Sequence, residues 1–436
     1  MASDVARRRW SGTEAVRWTR ATVAGESTLE FRALVATTAV LWLLGLIMTF
    51  SASFVASTAE SGNAFGIFAR QLLWNLLGLP LMVVAARCDY RRWRHLAIPL
   101  LVVSLVAAAA VAIPGVGIVV NGARRWLGVG PLRFQPSELL KLAVPLYLAH
   151  VLARRWRVLR RGDLRALLLP AVPLLGLVGL LVMLEPDLET AVLIACIGGV
   201  TLVAAGLPVR IVGAGVALLG VLAAVGIATS DYRRGRFMAW LNPMSDPAHY
   251  GYQTVQGYLA LGSGGWTGTG LGQGRGKWLY IPNAHTDYIF AIIGEELGLV
   301  GSLGVLLLFV LLAVFGLRTA RRAPDPFGRL LAVSLTGWLL LQAVINIGSV
   351  VGLLPVTGVT LPLVSFGGSS LVVTALGLGI LLAIARAGEP RAAGASAIQA
   401  GAGSAHASKV GASKVGAIKA GAIQVGAAKA KRVRRT

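Results

Sequence analysis

Apolar runs close to membrane-spanning length recur along almost the whole of this chain, and no other feature constrains its fold as strongly. About 20 residues at 1.5 Å rise are needed to cross the hydrocarbon core of a bilayer. Runs near Ala33–Phe50, Ile67–Ala86, Leu96–Val119, Leu139–Ala153, Leu164–Leu184, Thr190–Gly206, Ile211–Thr229, Tyr288–Leu317, Leu330–Val351 and Leu361–Ala385 approach or reach that length. They predict an all-α polytopic membrane protein of about ten transmembrane helices, with a large extracytoplasmic loop between the seventh and eighth. The fourth run is short and the last is interrupted by glycines, so both are expected to be irregular. Only 14% of the 436 residues are charged, against about 25% in a soluble domain.

The basic residues orient the bundle. Arg7, Arg8, Arg9, Arg17 and Arg20 precede the first run. Arg87, Arg91, Arg92 and Arg94 follow the second, Arg154, Arg155, Arg157, Arg160 and Arg161 the fourth, Arg210 the sixth, and Arg318, Arg321, Arg322 and Arg329 the eighth. Every even-numbered gap is basic, which predicts cytoplasmic termini. Two gaps on the opposite side, Asn121–Arg133 and the large loop, are basic as well. Those residues are either ordinary loop charges or cations that meet an anionic substrate. The net charge of +23 does not imply nucleic acid. Most of the excess lies in gaps where insertion and anionic lipid explain it, and no zinc-finger, homeodomain or RRM pattern is present. Cys88 and Cys196 lie in or near different runs and imply no disulfide framework.

The ends differ from the middle. Residues 1–32 read as a cytoplasmic arm, 33–386 as the transmembrane domain and 387–436 as a disordered basic tail. The first apolar run is too long for a cleaved signal. In the tail, five-residue units (HASKV, GASKV, GAIKA, GAIQV, GAAKA) repeat from His406, a period and composition without helical logic.

One long stretch, Gln253 to Gly298, is polar, Gly-rich and charged, and ends in His285-Thr286-Asp287 at the mouth of an apolar run. Ionisable groups at a bilayer edge are costly and are functional candidates. Several sharper motifs fail. A Walker A loop needs Gly where Leu271 stands and Ser or Thr where Trp278 stands. His285 has no second His at metal spacing, which argues against zinc. Leu354-Pro355-Val356-Thr357-Gly358 matches a sortase signal, but the chain continues far beyond it.

Four blocks in order carry a specific resemblance. They are Asn121-Gly122-Ala123-Arg124-Arg125-Trp126 running on to Arg133-Phe134-Gln135-Pro136-Ser137-Glu138-Leu139-Leu140-Lys141; Glu185-Pro186-Asp187-Leu188-Glu189-Thr190; the Gly-rich loop through Ala284-His285-Thr286-Asp287-Tyr288 to Gly294-Glu295-Glu296-Leu297-Gly298; and Leu354-Pro355-Val356-Thr357-Gly358 through Leu361-Pro362 to Ser365-Phe366-Gly367-Gly368-Ser369-Ser370. From about Phe50 to Arg386 the chain resembles the SEDS family (shape, elongation, division and sporulation; FtsW, RodA and SpoVE), with wording that leans to the FtsW branch. Glu185 and Glu189 depart from the family's usual Gln-Pro-Asp-Leu-Gly-Thr. The resemblance implies polymerisation of lipid II into glycan strands at the outer face of the cytoplasmic membrane, at the division septum on the FtsW reading. The alternatives are elongation as in RodA, and lipid II flipping or transport. It also implies a class B penicillin-binding protein, a transpeptidase, as partner alongside other division proteins.

Such a glycosyl transfer needs a base for the attacking hydroxyl, cations for the leaving pyrophosphate and a groove for isoprenyl chains. Asp287 matches the family's proposed catalytic position; by local sequence alone, Thr286 or Asp287 would be a helix N-cap. Arg125, Lys141 and Lys277 are candidate substrate-binding cations, with Glu138, His285 and Thr286 beside them. Glu138 and Lys141, three apart, equally fit an internal salt bridge. Glu295 and Glu296 fit a buried structural pairing with a cation. A divalent cation, Mg or Mn, suits pyrophosphate chemistry, but no metal ligand set is visible.

Overall fold

The computed structural model describes residues 28–388, apart from 121, 130, 131, 160, 161 and 279. The arm up to residue 27, the repeat tail from 389 and Asn121 of the first motif lie outside the described residues.

The helices are α1 (Leu29–Ser61), α2 (Gly66–Arg87), α3 (Trp93–Ala112), α4 (Pro136–Arg154), the single turn α5 (Trp156–Leu159), α6 (Leu164–Leu184), α7 (Leu188–Ala204), α8 (Val209–Ala228), α9 (Asp231–Leu241), α10 (Tyr252–Ser263), α11 (Ile289–Arg322), α12 (Pro326–Val350) and α13 (Ser369–Ala387). Among the described residues, eight are long and apolar enough to cross a membrane: α1, α2, α3 with its preceding turn, α6, α8, α11, α12 and α13. The other two expected spans are α7, with 17 residues, and α4. The latter holds Glu138 and Lys141 in its opening turns yet is largely enclosed, with Leu140, Leu142, Ala143, Val144, Leu146, Leu148 and Ala149 at 0% exposure. It packs on α3, α7 and α12, while α13 packs on α2 and α11 lies between α1 and α12.

Local chemistry sets most helix ends. Thr28 caps α1 by accepting from Phe31 N, and Gly62, at φ 68°, closes it in the left-handed region. Asp163, Asp187 and Asp325 cap α6, α7 and α12. At one end of the bundle Arg91 pairs with Asp325 and Arg322 with Glu30. The large loop leaves from the other end.

Two expectations are corrected. The third apolar run does not stay helical to Val119. Helix α3 stops at Ala112, and residues 118–134 form a three-stranded antiparallel meander, β1 (Ile118–Val120), β2 (Ala123–Val129) and β3 (Leu132–Phe134), with Val120 opposite Ala123 and Gly128 opposite Arg133. Pro114 and Gly115 end the helix, and the β-branched Ile118, Val119 and Val120 suit a strand. The bundle is thus helical with one small extramembrane sheet. The tenth run does not begin as helix either. Residues 361–368 form an irregular segment, buried at Leu361, Leu363 and Val364, and α13 starts only at Ser369. Such backbone persists inside a bundle only if its polar groups are satisfied. Here Leu361 N donates to Ser365 Oγ at 2.9 Å, Phe366 N to His285 O at 2.9 Å, and Thr49 Oγ1 to Val364 O at 3.2 Å.

Candidate active site

The irregular segment, the β-meander, the large loop and the starts of α4, α11 and α13 converge on one cavity of about 830 Å³, lined by Arg70, Arg125, Arg133, Glu138, Lys141, Asp187, Glu189, Arg233, Arg236, Gln253, Thr286, Asp287, Gly367 and Ser370 among others. None of these three helices has a side-chain N-cap. The positive ends of their dipoles therefore suit anions there.

Asp287 sits in this wall, 8% exposed. It does not cap α11: the cap position is Tyr288, with no side-chain bond to the helix. The capping alternative read from the local sequence is therefore overturned for both Thr286 and Asp287. Instead, Thr286 Oγ1 lies 3.0 Å from Asp287 Oδ1 and 2.9 Å from Asn283 O. Asn346 of α12 fixes the backbone, its Nδ2 donating to Asp287 O at 2.7 Å and to Val359 O at 2.8 Å. Burial pushes the Asp287 carboxyl up from 3.8 to about 6, while hydrogen bonds from Thr286 and Gln253 and the nearby Arg236 guanidinium pull it partly back.

Arg125 reaches the cavity because the meander carries it there. Its Nε donates to Glu185 O at 3.1 Å, its Nη2 to Pro186 O, and Nη1 lies 3.7 Å from Asp187 Oδ2. Neighbouring Arg124 turns back towards Ala112 O. Asp187 also accepts from Thr190 N and Gln135 Nε2, and Gln135 N donates to Ser369 Oγ, tying α4 to α13. The salt bridge read for Glu138 and Lys141 is present, 2.7 Å long and buried, and both residues also line the cavity. The neighbouring Glu185 is fully buried. Burial first, then Asp187, pushes its carboxyl up to about 8, which keeps it protonated at neutral pH.

Two expected substrate contacts lie elsewhere. Lys277 is not in the cavity wall; its Nζ lies 2.9 Å from Glu296 Oε1 and 3.2 Å from Ser51 Oγ, in a pair that is 6% and 0% exposed. Glu296 thus has the buried structural pairing expected of it, and Lys277 is its cation. Glu295 accepts from the Arg275 and Gly276 amides, and Glu296 from Gly272 N. The Gly-rich loop therefore cradles two protein carboxylates rather than phosphates. His285 also faces away: its ring packs edge-on against Phe366, and burial, reinforced by Arg70, lowers its pKa to about 4, so it is neutral.

Four cavity residues, Arg70, Arg233, Arg236 and Gln253, and the buried Asn346 behind Asp287 were not singled out from the sequence. Arg70 carried a usable signal, since it is an arginine inside an apolar run. Arg233 and Arg236 belong to a loop that breaks the positive-inside pattern. Asn346 gave no such signal, because its partner is backbone that folding brings to it. Glu138, Asp187 and Glu189 are each paired with Lys141, Arg125 or Arg236, and no three His, Cys, Asp or Glu among the described residues form a metal-holding group. The residues present do not fit a resident divalent cation.

Comparison with known proteins agrees with this architecture. The family profile described as "Cell cycle protein" (FtsW, RodA, SpoVE) matches residues 32–389. The chain is 45% identical over 371 residues to the probable peptidoglycan glycosyltransferase FtsW of Mycobacterium tuberculosis, covering 85% of this chain and 70% of that one. It is 41% identical over 361 residues to the stage V sporulation protein E of Bacillus subtilis, covering 81% and 96%. Among solved structures, a chain of one described as "Structural coordination of polymerization and crosslinking by a peptidoglycan synthase complex" superposes with a TM-score of 0.65 at 33% identity, covering 81% of this chain and 96% of that one. The rod shape determining protein RodA of Thermus thermophilus gives 0.60 at 31% identity, covering 82% and 97%. With the profile spanning the whole bundle and relatives above 40% identity over most of its length, the chain belongs to the FtsW/RodA/SpoVE family of cell cycle proteins.

Proposed function

We propose that this protein is an FtsW-type peptidoglycan glycosyltransferase, polymerising lipid II into septal glycan strands on the outer face of the membrane. One observation carries the reading: a buried carboxylate with raised proton affinity, Asp287, shares a cavity with Arg70, Arg125, Arg133, Arg233 and Arg236 and with three uncapped helix N-termini. The 4-hydroxyl oxygen of one lipid-linked disaccharide attacks the anomeric carbon of the other chain. Its proton passes to Asp287, the bond from the anomeric carbon to the pyrophosphate oxygen breaks, and that oxygen leaves with the electron pair. A base with a pKa of about 6 is largely ionised at neutral pH yet basic enough to share a proton in the transition state. The arginines and helix ends hold the developing pyrophosphate charge. Lys277 and His285 belong to the scaffold of the site, and no step needs a protein-held metal.

The even-gap arginines support cytoplasmic termini and a cavity that faces outward. The synthase-complex likeness supports a class B transpeptidase as partner, and the FtsW relatives support work at the septum with other division proteins. The test is glycan-strand formation from lipid II by purified protein with that transpeptidase present. Polymer from the wild type and none from Asp287→Asn is expected. Lipid II translocation without polymer would instead make the protein a flippase.

A further inference from the structure

We propose that a groove between α1, α2 and α13, at the basic end of the bundle, binds an anionic diacyl phospholipid. The groove encloses about 540 Å³ and shares no lining residue with the cavity around Asp287. Its walls are apolar, with Phe31, Leu46, Leu79, Met82 and Leu382 among them. The two ends of α2 and α13 separate the sites: Arg70, Trp74 and Ser370, near their starts, line the cavity, whereas Arg87 and Arg386, at their last turns, line the groove.

Three polar features give the groove a polarity. Arg386 Nη2 donates to Arg87 O at 2.8 Å, which holds the two residues side by side. None of the ion pairs formed by the described residues includes either guanidinium. Two acids at this end are already engaged, Glu30 by Arg322 and Asp325 by Arg91 and Tyr90. The groove thus closes on two uncompensated cations. The third feature is Thr38, which lines the wall at 2% exposure with a hydroxyl that has no partner. A buried hydroxyl is normally paired, and an oxygen-bearing ligand would pair this one.

An apolar cleft ending in two cations fits an amphiphile with an acyl chain and a phosphate. A transmembrane helix is a poorer occupant. A cylinder roughly 10 Å across needs more than about twice this volume over three turns. A lipid seated here would brace α13, whose other end carries Ser370 into the cavity.

The experiment uses the full chain purified in a neutral detergent, with dioleoyl phosphatidylglycerol and dioleoyl phosphatidylcholine as probes. Native mass spectrometry counts retained lipid, and thermal melting gives the shift each lipid produces. The wild type is expected to retain phosphatidylglycerol in preference to phosphatidylcholine and to melt higher with it. The double variant Arg87→Gln/Arg386→Gln should bind it roughly tenfold more weakly and lose the preference. Ala39→Trp, at an exposed position of the groove wall, keeps both arginines but fills the groove, and should lose retention as well. It decides the matter if the double variant does not fold. Equal retention in all three proteins overturns the proposal, because the anionic lipid then sits on other basic loops. So does an equal melting shift from sn-glycerol 3-phosphate, which would mark a bare anion site. Retention by Ala39→Trp alone would free the groove for a partner helix and equally overturn it.

Discussion

Asp287 gives the residue scale its sharpest test, because activity and stability should move in opposite directions. Its carboxyl is raised, so its contribution to folding is fully favourable below the unfolded value near 3.8 and is lost as pH rises through about 6. Above pH 6 the ionised wild type carries a penalty on the order of 2–3 kcal/mol that an amide does not. Asp287→Asn should therefore cut polymerisation by about 10²–10⁴ while raising the melting temperature at pH 7.5 and leaving it nearly unchanged at pH 4. Loss of activity together with loss of stability would mean a structural role. The same carboxyl predicts a wild-type rate that climbs with pH and levels off above about 6. Arg236 lowers the Asp287 pKa, so Arg236→Ala should move that limb to higher pH, and an unmoved limb would remove Asp287 as the titrating base. Lys277 contrasts with both. Its loss strands Glu296 at 0% exposure, and breaking one partner of such a pair typically costs about 3–5 kcal/mol. Lys277→Met should lower the melting temperature steeply, and adding Glu296→Gln should recover part of it. A Lys277→Met protein of normal stability that fails to polymerise would return Lys277 to the substrate.

At the scale of elements, the Gly-rich loop and the broken start of α11 make one unit. Gly298 interrupts that helix at φ 66°, and Gly268, at φ 83°, lies so close that an added Cβ would stand 2.1 Å from Glu296 O. Gly270 has φ 102°, but its nearest neighbour would be the Gln273 side chain at 3.5 Å. Gly268→Ala should therefore destabilise well beyond the roughly 1 kcal/mol of left-handed strain that Gly270→Ala carries. Equal melting temperatures for the two variants would show that the loop does not pack on the helix break as described. The glycines invited a phosphate-loop reading, but their spacing does not reveal what fills the loop. Glu295 and Glu296 occupy it, and they lie about twenty residues further along the chain. The irregular 361–368 segment has a similar lesson. Its apolar residues read as the start of a span, yet its backbone bonds to His285, Thr49 and its own Ser365.

For the whole molecule, the arginine distribution predicts which loops face which side. A membrane-impermeant thiol reagent should reach Ser263→Cys in the large loop from outside and should miss Arg157→Cys unless the membrane is opened. The reverse pattern would place the cavity on the cytoplasmic side and end the reading of an extracytoplasmic polymerase. Two separate chambers follow from the same arrangement, a polar one where α4, α11 and α13 begin and an apolar one where α2 and α13 end. Helix α13 runs between them.

The membrane class and the family were legible in the sequence, and so was Asp287 as a candidate. Each of these is written in local hydropathy or in a contiguous motif. The sequence did not determine which cations line the cavity. Lys277 and Arg125 look alike along the chain, and tertiary structure alone sends one to a buried Glu296 and the other to the cavity. The same holds for Arg70, Arg236 and Asn346. An ionisable or amide side chain acquires its role from what stands opposite it, and here those partners sit on other elements: Glu296 is 19 residues from Lys277, Asp287 is 59 from Asn346 and Glu185 is 60 from Arg125.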